Sequence, residues 1–315
     1  MASEGWVWLF PGQGSQVAGM GQALAARSGA ARTALVQAEE ITHLPLRRWM
    51  WEGDEESLRP TSHTQPALLA VELAYLAFAR ERGASAVAAA GHSVGEYAAL
   101  VAAGVLSPEH ALRLVTERGR LMEEAFPEDG GGMMAVLGLP DAQVEQICQE
   151  AASETGELVE AVNYNCPGQV VIAGTRPALA RARQLAQARG ARLVRELAVS
   201  GPFHSRLMRP AAERLRPALA AVTYGQAQIP VISNVLGRPY SPTDSVADLL
   251  YQQVWSPVRW AAGIQFLFQH GYTHFVELGP GTVLAGLVRR ILAGQTFTVV
   301  SGDQPEWEAN LSCQS

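Results

Sequence analysis

Six residues at the junction of two runs constrain this chain most. Ala84–Ala90 is alanine-rich and reads as a strand, Tyr97–Val105 reads as a helix, and Gly91-His92-Ser93-Val94-Gly95-Glu96 joins them. The join fits G-x-S-x-G, the strand–turn–helix elbow that holds a serine on a sharp turn. Gly91 and Gly95 leave room for the turn, so that Ser93 can occupy a strained backbone conformation. At a helix N-terminus the free N–H groups and the dipole favour negative charge near its hydroxyl. Ser93-x-x-Glu96 is also a capping box, which needs no catalysis. The remaining chain has to decide between the two.

The rest of the chain alternates strand-like and helix-like runs. Trp6–Phe10 is an apolar run ending in Pro11-Gly12-Gln13-Gly14-Ser15-Gln16. This loop is neither G-x-G-x-x-G nor a P-loop, and reads as one that leaves backbone N–H groups free. Residues 17–40 read as helical, Thr64-Gln65-Pro66 opens a helix to Arg82 with proline near its first turn, and Ser107-Pro108-Glu109 opens another. Gly130-Gly131-Gly132 marks a hinge or boundary. Residues 131–199 then run βαββαβ, the ferredoxin-like pattern. Beyond them come strands at Ile229–Ser233, His274–Leu278 and Thr296–Val300, with helices between. The expectation is an α/β chain. Residues 1–130 and 200–300 form a large α/β-hydrolase-like catalytic domain with a mostly parallel sheet covered on both faces. Residues 131–199 form an inserted ferredoxin-like domain, and 301–315 a C-terminal tail whose last dozen residues fray.

Composition excludes several classes. No apolar run reaches the ~18 residues of a membrane span. The first ten residues lack the basic start and long apolar core of a signal peptide, so a cytoplasmic protein is expected. Cys148, Cys166 and Cys313 are too scattered for a disulfide framework or a zinc site, and no metal is expected. The net charge of −6 argues against nucleic acid as a partner. All 24 basic residues are arginine, and ten of them lie between Arg176 and Arg216, where Glu196 and Glu213 are the only acids. A local basic region on an acidic chain points to an acidic or phosphate-bearing partner, or else to solvated helix faces.

A serine on an elbow needs a base. A standard α/β-hydrolase places an acid and then a histidine after the serine, and Asp248 with His274 fits that order. His204, in Gly201-Pro202-Phe203-His204-Ser205 just after the insert, is the other candidate. His92 adjoins Ser93 and must point away from it. The residues alone do not choose between His204 and His274.

Several motifs in order then match one family. They are Phe10-Pro11-Gly12-Gln13-Gly14-Ser15-Gln16, Gly91–Tyr97, Arg118-Gly119 with Met122, Ala161-Val162-Asn163-Tyr164-Asn165 with Pro167-Gly168-Gln169, Phe203-His204-Ser205, Ser256–Trp260, and Glu277–Gly281. Over nearly its whole length the chain resembles the malonyl-CoA:acyl carrier protein transacylases of fatty-acid or polyketide synthesis. The resemblance implies Ser93 as nucleophile and His204 as base. It implies a backbone carbonyl from the Gln253–Ser256 segment, with Gln253 favoured, to orient the histidine, and the N–H groups of Gln13 and Val94 as oxyanion hole. Arg118 would clamp the malonyl carboxylate in two-pronged fashion. Phe203 would crowd a methyl branch at the malonyl C2. Met122, Asn163 and Asn165 would line the substrate pocket. No bound cofactor is implied. The substrates would be malonyl-CoA and a phosphopantetheinylated acyl carrier protein. Separately from the resemblance, a monomer is expected.

Acyl carrier proteins are acidic, so the arginine-rich insert and the helix after His204 are the expected docking surface. Two competing functions differ in class. A proofreading acyl hydrolase of the same fold would pass the acyl group to water, but would have no use for Arg118. A non-catalytic carrier-binding module would need neither Ser93 nor His204.

Overall fold

A computed structural model describes residues 5–53, 55–126 and 130–302. Its main sheet has six strands in the order β10-β9-β1-β2-β7-β8. They are β1 (Trp6–Phe10), β2 (Ala86–Gly91), β7 (Val231–Ser233), β8 (Arg238–Pro239), β9 (His274–Glu277) and β10 (Thr298–Ser301). All pairings are parallel except the short β7–β8 hairpin. β1 is buried along its whole length between β2 and β9, as a parallel sheet covered on both faces requires. β2 carries the sequence Ala-Val-Ala-Ala-Ala-Gly, poor in the branched residues that favour strands. Tertiary placement overrides that preference. Its small side chains let the following helix start almost on the sheet.

The covering helices come from both sides of the elbow. They include α1 (Gln22–Arg27), α2 (Gly29–Thr42), α3 (Thr61–Glu81), α4 (Gly95–Ala102) and α5 (Pro108–Glu124). The helical run expected over 17–40 breaks at Ser28, whose hydroxyl caps α2 by accepting the Ala31 N–H. Helix α3 begins at Thr61, three residues before the expected start. Pro66 therefore sits inside it rather than in its first turn. The helix is buried nearly all round, and its tertiary contacts offset the missing hydrogen bond. Ser107 caps α5, with Pro108 in its first turn, as expected.

A second sheet stands apart from the first. Strands β3 (Gly131–Leu137), β4 (Val159–Cys166), β5 (Gln169–Thr175) and β6 (Leu193–Glu196) pair antiparallel in the order β4-β5-β3-β6. Helices α6 (Asp141–Thr155) and α7 (Arg176–Ala188) pack on it around Val136, Ile147, Ile172 and Leu179. This is the expected βαββαβ unit. Gly131 and Gly132 begin β3 rather than forming a free hinge; residues 127–129 lie outside the described residues. The second sheet is tied to the chain outside it where Tyr164 N–H donates to Val258 O and Val258 N–H to Val162 O.

The chain returns through α8 (Arg209–Ala220), α9 (Val246–Gln253), α10 (Trp260–Gln269) and α11 (Val283–Ile291). Ser301 and Gly302 are held to Gly281 and Glu277, so the expected tail does not begin at 301. Its remainder, 303–315, lies outside the described residues. Among the described residues no helix is long and apolar enough to cross a membrane.

Candidate active site

The elbow is held from three directions. The His92 N–H donates to Phe10 O at 2.9 Å, joining the turn to the end of β1. A Cβ at Gly91 would lie 1.9 Å from Gly95 O, and one at Gly95 would lie 2.2 Å from Phe10 O, so both positions require glycine. Ser93 takes φ 53°, the left-handed region that costs a non-glycine residue about 1–3 kcal/mol. Asn234, one residue beyond β7, offsets that strain. Its Oδ1 accepts the Ser93 N–H at 2.7 Å and its Nδ2 donates to Gly91 O at 2.6 Å.

Glu96 does not close a capping box, because Asn234 already takes the Ser93 N–H. Its buried carboxylate turns inward instead. Oε1 accepts from the Tyr240 hydroxyl at 2.5 Å and the Asn234 N–H at 3.2 Å, and Oε2 from Gln253 Nε2 at 2.7 Å. Burial raises its pKa to about 7, against the pull of those donors and of Arg118.

Of the two candidate bases, the fold brings His204 to the serine. Its Nε2 lies 2.8 Å from Ser93 Oγ and its Nδ1 lies 2.8 Å from the Gln253 carbonyl. A carbonyl can only accept, so Nδ1 carries the hydrogen and Nε2 is free to take the serine proton. His204 also has a positive φ, 63°. Pro202 and Ser205 hold that turn through Ser205 Oγ to Pro202 O at 2.6 Å. Burial and the nearby Arg118 lower the His204 pKa to about 3. His274 is elsewhere, at the start of β9 with its ring edge-on to Trp6, and Asp248 lies in the first turn of α9.

Arg118 reaches the same point from α5 and is fully buried. Its Nη1 donates to Gln65 Oε1 at 2.5 Å, and its Nη2 to Gln253 Oε1 at 2.9 Å and Ser93 Oγ at 3.2 Å. The Tyr97 ring lies 5.9 Å from the guanidinium carbon. The Arg118 Nε has no partner among the described residues. Gln65 also donates to Met122 Sδ at 3.6 Å. The Gln253 side chain thus links Arg118, Glu96 and Ser93 O, to which Nε2 donates at 2.8 Å.

Ser93, His204 and Gln65 line a cavity of about 740 Å³ together with Gln13, Met122, Asn163, Asn165 and Phe203. Its far wall comes from the second sheet. Asn165 Oδ1 lies 2.9 Å from His92 Nε2 and fixes that ring away from Ser93. Asn163 is buried and bridges to Val258. Gln13 belongs to the loop after β1, and Val94 immediately precedes α4. Among the described residues neither main-chain N–H has a backbone acceptor.

Sequence reasoning missed Asn234, Tyr240, Gln65 and the side chain of Gln253. Asn234 had a usable signal, since it directly follows a parallel strand, where sites of open α/β sheets form. The other three reach the site only through tertiary packing.

The arginine-rich segment is largely paired within the chain. Arg181 bridges to Glu154, Arg189 to Glu150, Arg206 to Glu160 and Arg214 to Glu124, while Arg176 and Arg183 share Glu196. Arg192 and Arg195 are exposed, and among the described residues neither has an acidic partner within salt-bridge distance. Arg195 lines the mouth of the cavity.

Residues 7–312 match the acyl transferase domain. The chain is 44% identical over 284 residues to the malonyl CoA-acyl carrier protein transacylase of Bacillus subtilis (strain 168), covering 90% of this chain and 89% of that protein. It is 40% identical over 301 residues to the Escherichia coli (strain K12) protein of the same name, covering 95% and 96%. Among solved structures it resembles a malonyl-transacylase in complex with its type II polyketide-synthase acyl-carrier protein. The TM-score is 0.94 at 38% identity, over 99% of this chain and 100% of that one. The malonyl CoA-acyl carrier protein transacylase of Coxiella burnetii gives 0.92 at 36% identity, over 97% and 96%. By the length and identity of these matches, the chain belongs to the acyl transferase domain family.

Proposed function

We propose that the protein moves a malonyl group from malonyl-CoA to the phosphopantetheine thiol of an acyl carrier protein through an ester on Ser93. The observation that carries the malonyl reading is the position of Arg118. Its Nη2 lies one hydrogen bond, 3.2 Å, from Ser93 Oγ. A cation fixed there suits an acyl group that ends in a carboxylate. An acetyl group would leave the buried guanidinium without an anion, which supports discrimination.

In the first half-reaction His204 Nε2 takes the Ser93 hydroxyl proton as Oγ attacks the thioester carbonyl. The oxyanion faces the N–H groups of Gln13 and Val94. The tetrahedral intermediate expels the CoA thiolate, which recovers the proton from His204. In the second half-reaction His204 takes the carrier thiol's proton, the thiolate attacks the ester, and the proton returns to Ser93 Oγ. Two half-reactions through one ester predict ping-pong kinetics. The Gln253 carbonyl keeps His204 in the required tautomer throughout. Buried Phe203 closes the side of the cavity where a methyl branch at C2 would go. Nothing in this chemistry calls for a cofactor.

Residues 1–130 and 200–300 act as one discontinuous catalytic domain, and 131–199 as the insert that forms the cavity's far wall. Carrier protein docks at Arg192 and Arg195, whose charge is not already taken up by an acid of the chain.

Mass spectrometry after mixing with malonyl-CoA tests the reading. The wild type acquires a malonyl adduct on the Ser93 peptide and loses it to added phosphopantetheinylated carrier. Ser93→Ala acquires none. Release of free malonate with no adduct and no transfer would favour hydrolysis.

A further inference from the structure

Glu96 lies behind the site and touches none of the groups assigned to bond making. It nevertheless has three hydrogen bonds, from three different segments, and each is a donor to it. Tyr240 Oη comes from the chain after β8, the Asn234 N–H from the end of β7, and Gln253 Nε2 from α9. The charged and titratable groups around it are Arg118 from α5, Tyr240, and Tyr97 on its own helix.

The Gln253 amide is the consequential partner. Its Nε2 has two hydrogens, spent on Glu96 Oε2 and on Ser93 O. Its Oε1 is thereby turned to Arg118 Nη2 at 2.9 Å. Arg118 has only donors to offer, so the opposite rotamer of the amide would set N–H against N–H. An ionised carboxylate is acceptor-only and satisfies all three donors. A protonated Glu96 would bring a hydrogen into a ring of donors. Only a turned Tyr240 hydroxyl or a flipped Gln253 amide could accept it, and the flip would release Arg118.

We infer that Glu96 is a positioning residue whose ionised carboxylate fixes the Gln253 amide and, through it, aims Arg118 at the acyl carboxylate. It rests on the malonyl-transfer reading above. It makes carboxylate recognition depend on a proton that never meets the substrate. Burial brings Glu96 to titrate near neutrality, whereas His204 stays neutral far below it. An acid limb of malonyl loading near pH 7 therefore belongs to Glu96 and not to the base.

The test measures kcat/KM for Ser93 loading from malonyl-CoA between pH 5 and pH 9. Labelling of Ser93 by phenylmethylsulfonyl fluoride, which has no carboxylate, runs in parallel. In the wild type, loading falls below about pH 7 while labelling of the serine continues. In Glu96→Gln the amide has one oxygen for three donors, so an N–H is set against either Gln253 Nε2 or the Asn234 N–H. Loading falls by about tenfold or more, its limb near pH 7 disappears, and labelling stays within about threefold. In Tyr240→Phe one donor to the carboxylate is lost, so the limb moves to higher pH. This variant keeps every cavity residue and serves should Glu96→Gln fold poorly.

The inference is overturned if the limb is absent in the wild type, persists in Glu96→Gln, or stays in place in Tyr240→Phe. It is also overturned if loading and labelling fall together in both variants, which would make Glu96 a fold-stabilising group only. A wild type that never forms the malonyl ester instead overturns the malonyl-transfer reading.

Discussion

The group facing His204 Nδ1 is the main-chain carbonyl of Gln253, 2.8 Å away. A carbonyl orients the ring by its dipole but supplies no full negative charge. The hydrogen bonds to the Gln253 and Ser256 carbonyls only partly offset burial and the nearby Arg118 cation, and the His204 pKa falls to about 3 from an unfolded value near 6.5. The folded state then binds fewer protons than the unfolded chain between those values. The stability linked to a neutral His204 is fully present above pH 6.5 and is lost as pH falls toward 3. Each pH unit inside that window costs about 1.4 kcal/mol. Between pH 8 and pH 5 the wild type should lose about 2 kcal/mol more than His204→Asn. Urea unfolding of both proteins at the two pH values reads the difference. Equal losses would place the His204 titration outside that window.

Asn234 makes a second prediction. Its side chain satisfies the Ser93 N–H and the Gly91 carbonyl, both at the strained elbow. Asn234→Ala takes this partner from the buried Gly91 carbonyl and the part-buried Ser93 N–H, each worth up to about 1–3 kcal/mol. It should lower unfolding stability by roughly 2–4 kcal/mol and slow Ser93 acylation by more than tenfold. Unaltered acylation with lowered stability would mean that the sharp turn survives without the asparagine.

How far the sequence carried the site depends on what kind of signal each residue gave. The elbow was legible because two glycines at fixed spacing answer to backbone sterics, and the structure puts main-chain atoms of Gly95 and of Phe10 where their Cβ atoms would go. The antiparallel unit was legible from its alternating runs. Choosing His204 over His274 from the residues alone was not possible, since chain order says nothing about which turn meets Ser93. Family motifs made that choice. The hub at Glu96 was legible only as one half of a possible capping box, because a capping box is a local pattern. The partners of Glu96, Tyr240 and Gln253, lie more than 140 residues away along the chain. The arginine run looked like an open basic patch, because its counter-ions Glu124, Glu150, Glu154 and Glu160 fall outside the run.

Arg118 carries the selectivity prediction. The guanidinium is fully buried and held by Gln65 and Gln253 beside Ser93. Arg118→Ala removes the only cation hydrogen-bonded to Ser93 Oγ among the described residues. The ratio of kcat/KM for malonyl-CoA over acetyl-CoA should fall by about 100-fold or more, mostly through loss of malonyl turnover. Competition between the two acyl-CoAs, read as adduct masses on Ser93, measures this ratio directly. A ratio that stays within a few-fold would remove Arg118 from carboxylate recognition.

Charge reversal separates the two groups of arginines. Arg181 and Arg183 are engaged with Glu154 and Glu196, so reversing them sets like charges together within the insert. Exposed pairs of this kind contribute about 0–1 kcal/mol, and the change should register as a small loss of stability. Arg192 and Arg195 have no such partners among the described residues, and Arg195 stands at the cavity mouth. The pair Arg192→Glu and Arg195→Glu should raise the KM for an acidic carrier protein by about tenfold at low salt, with the effect shrinking as ionic strength rises. Malonyl loading from CoA, measured in the same proteins, separates docking from damage to the site. If Arg181→Glu with Arg183→Glu proved the more harmful pair toward carrier protein, the docking surface would lie on the outer face of α7 rather than at β6.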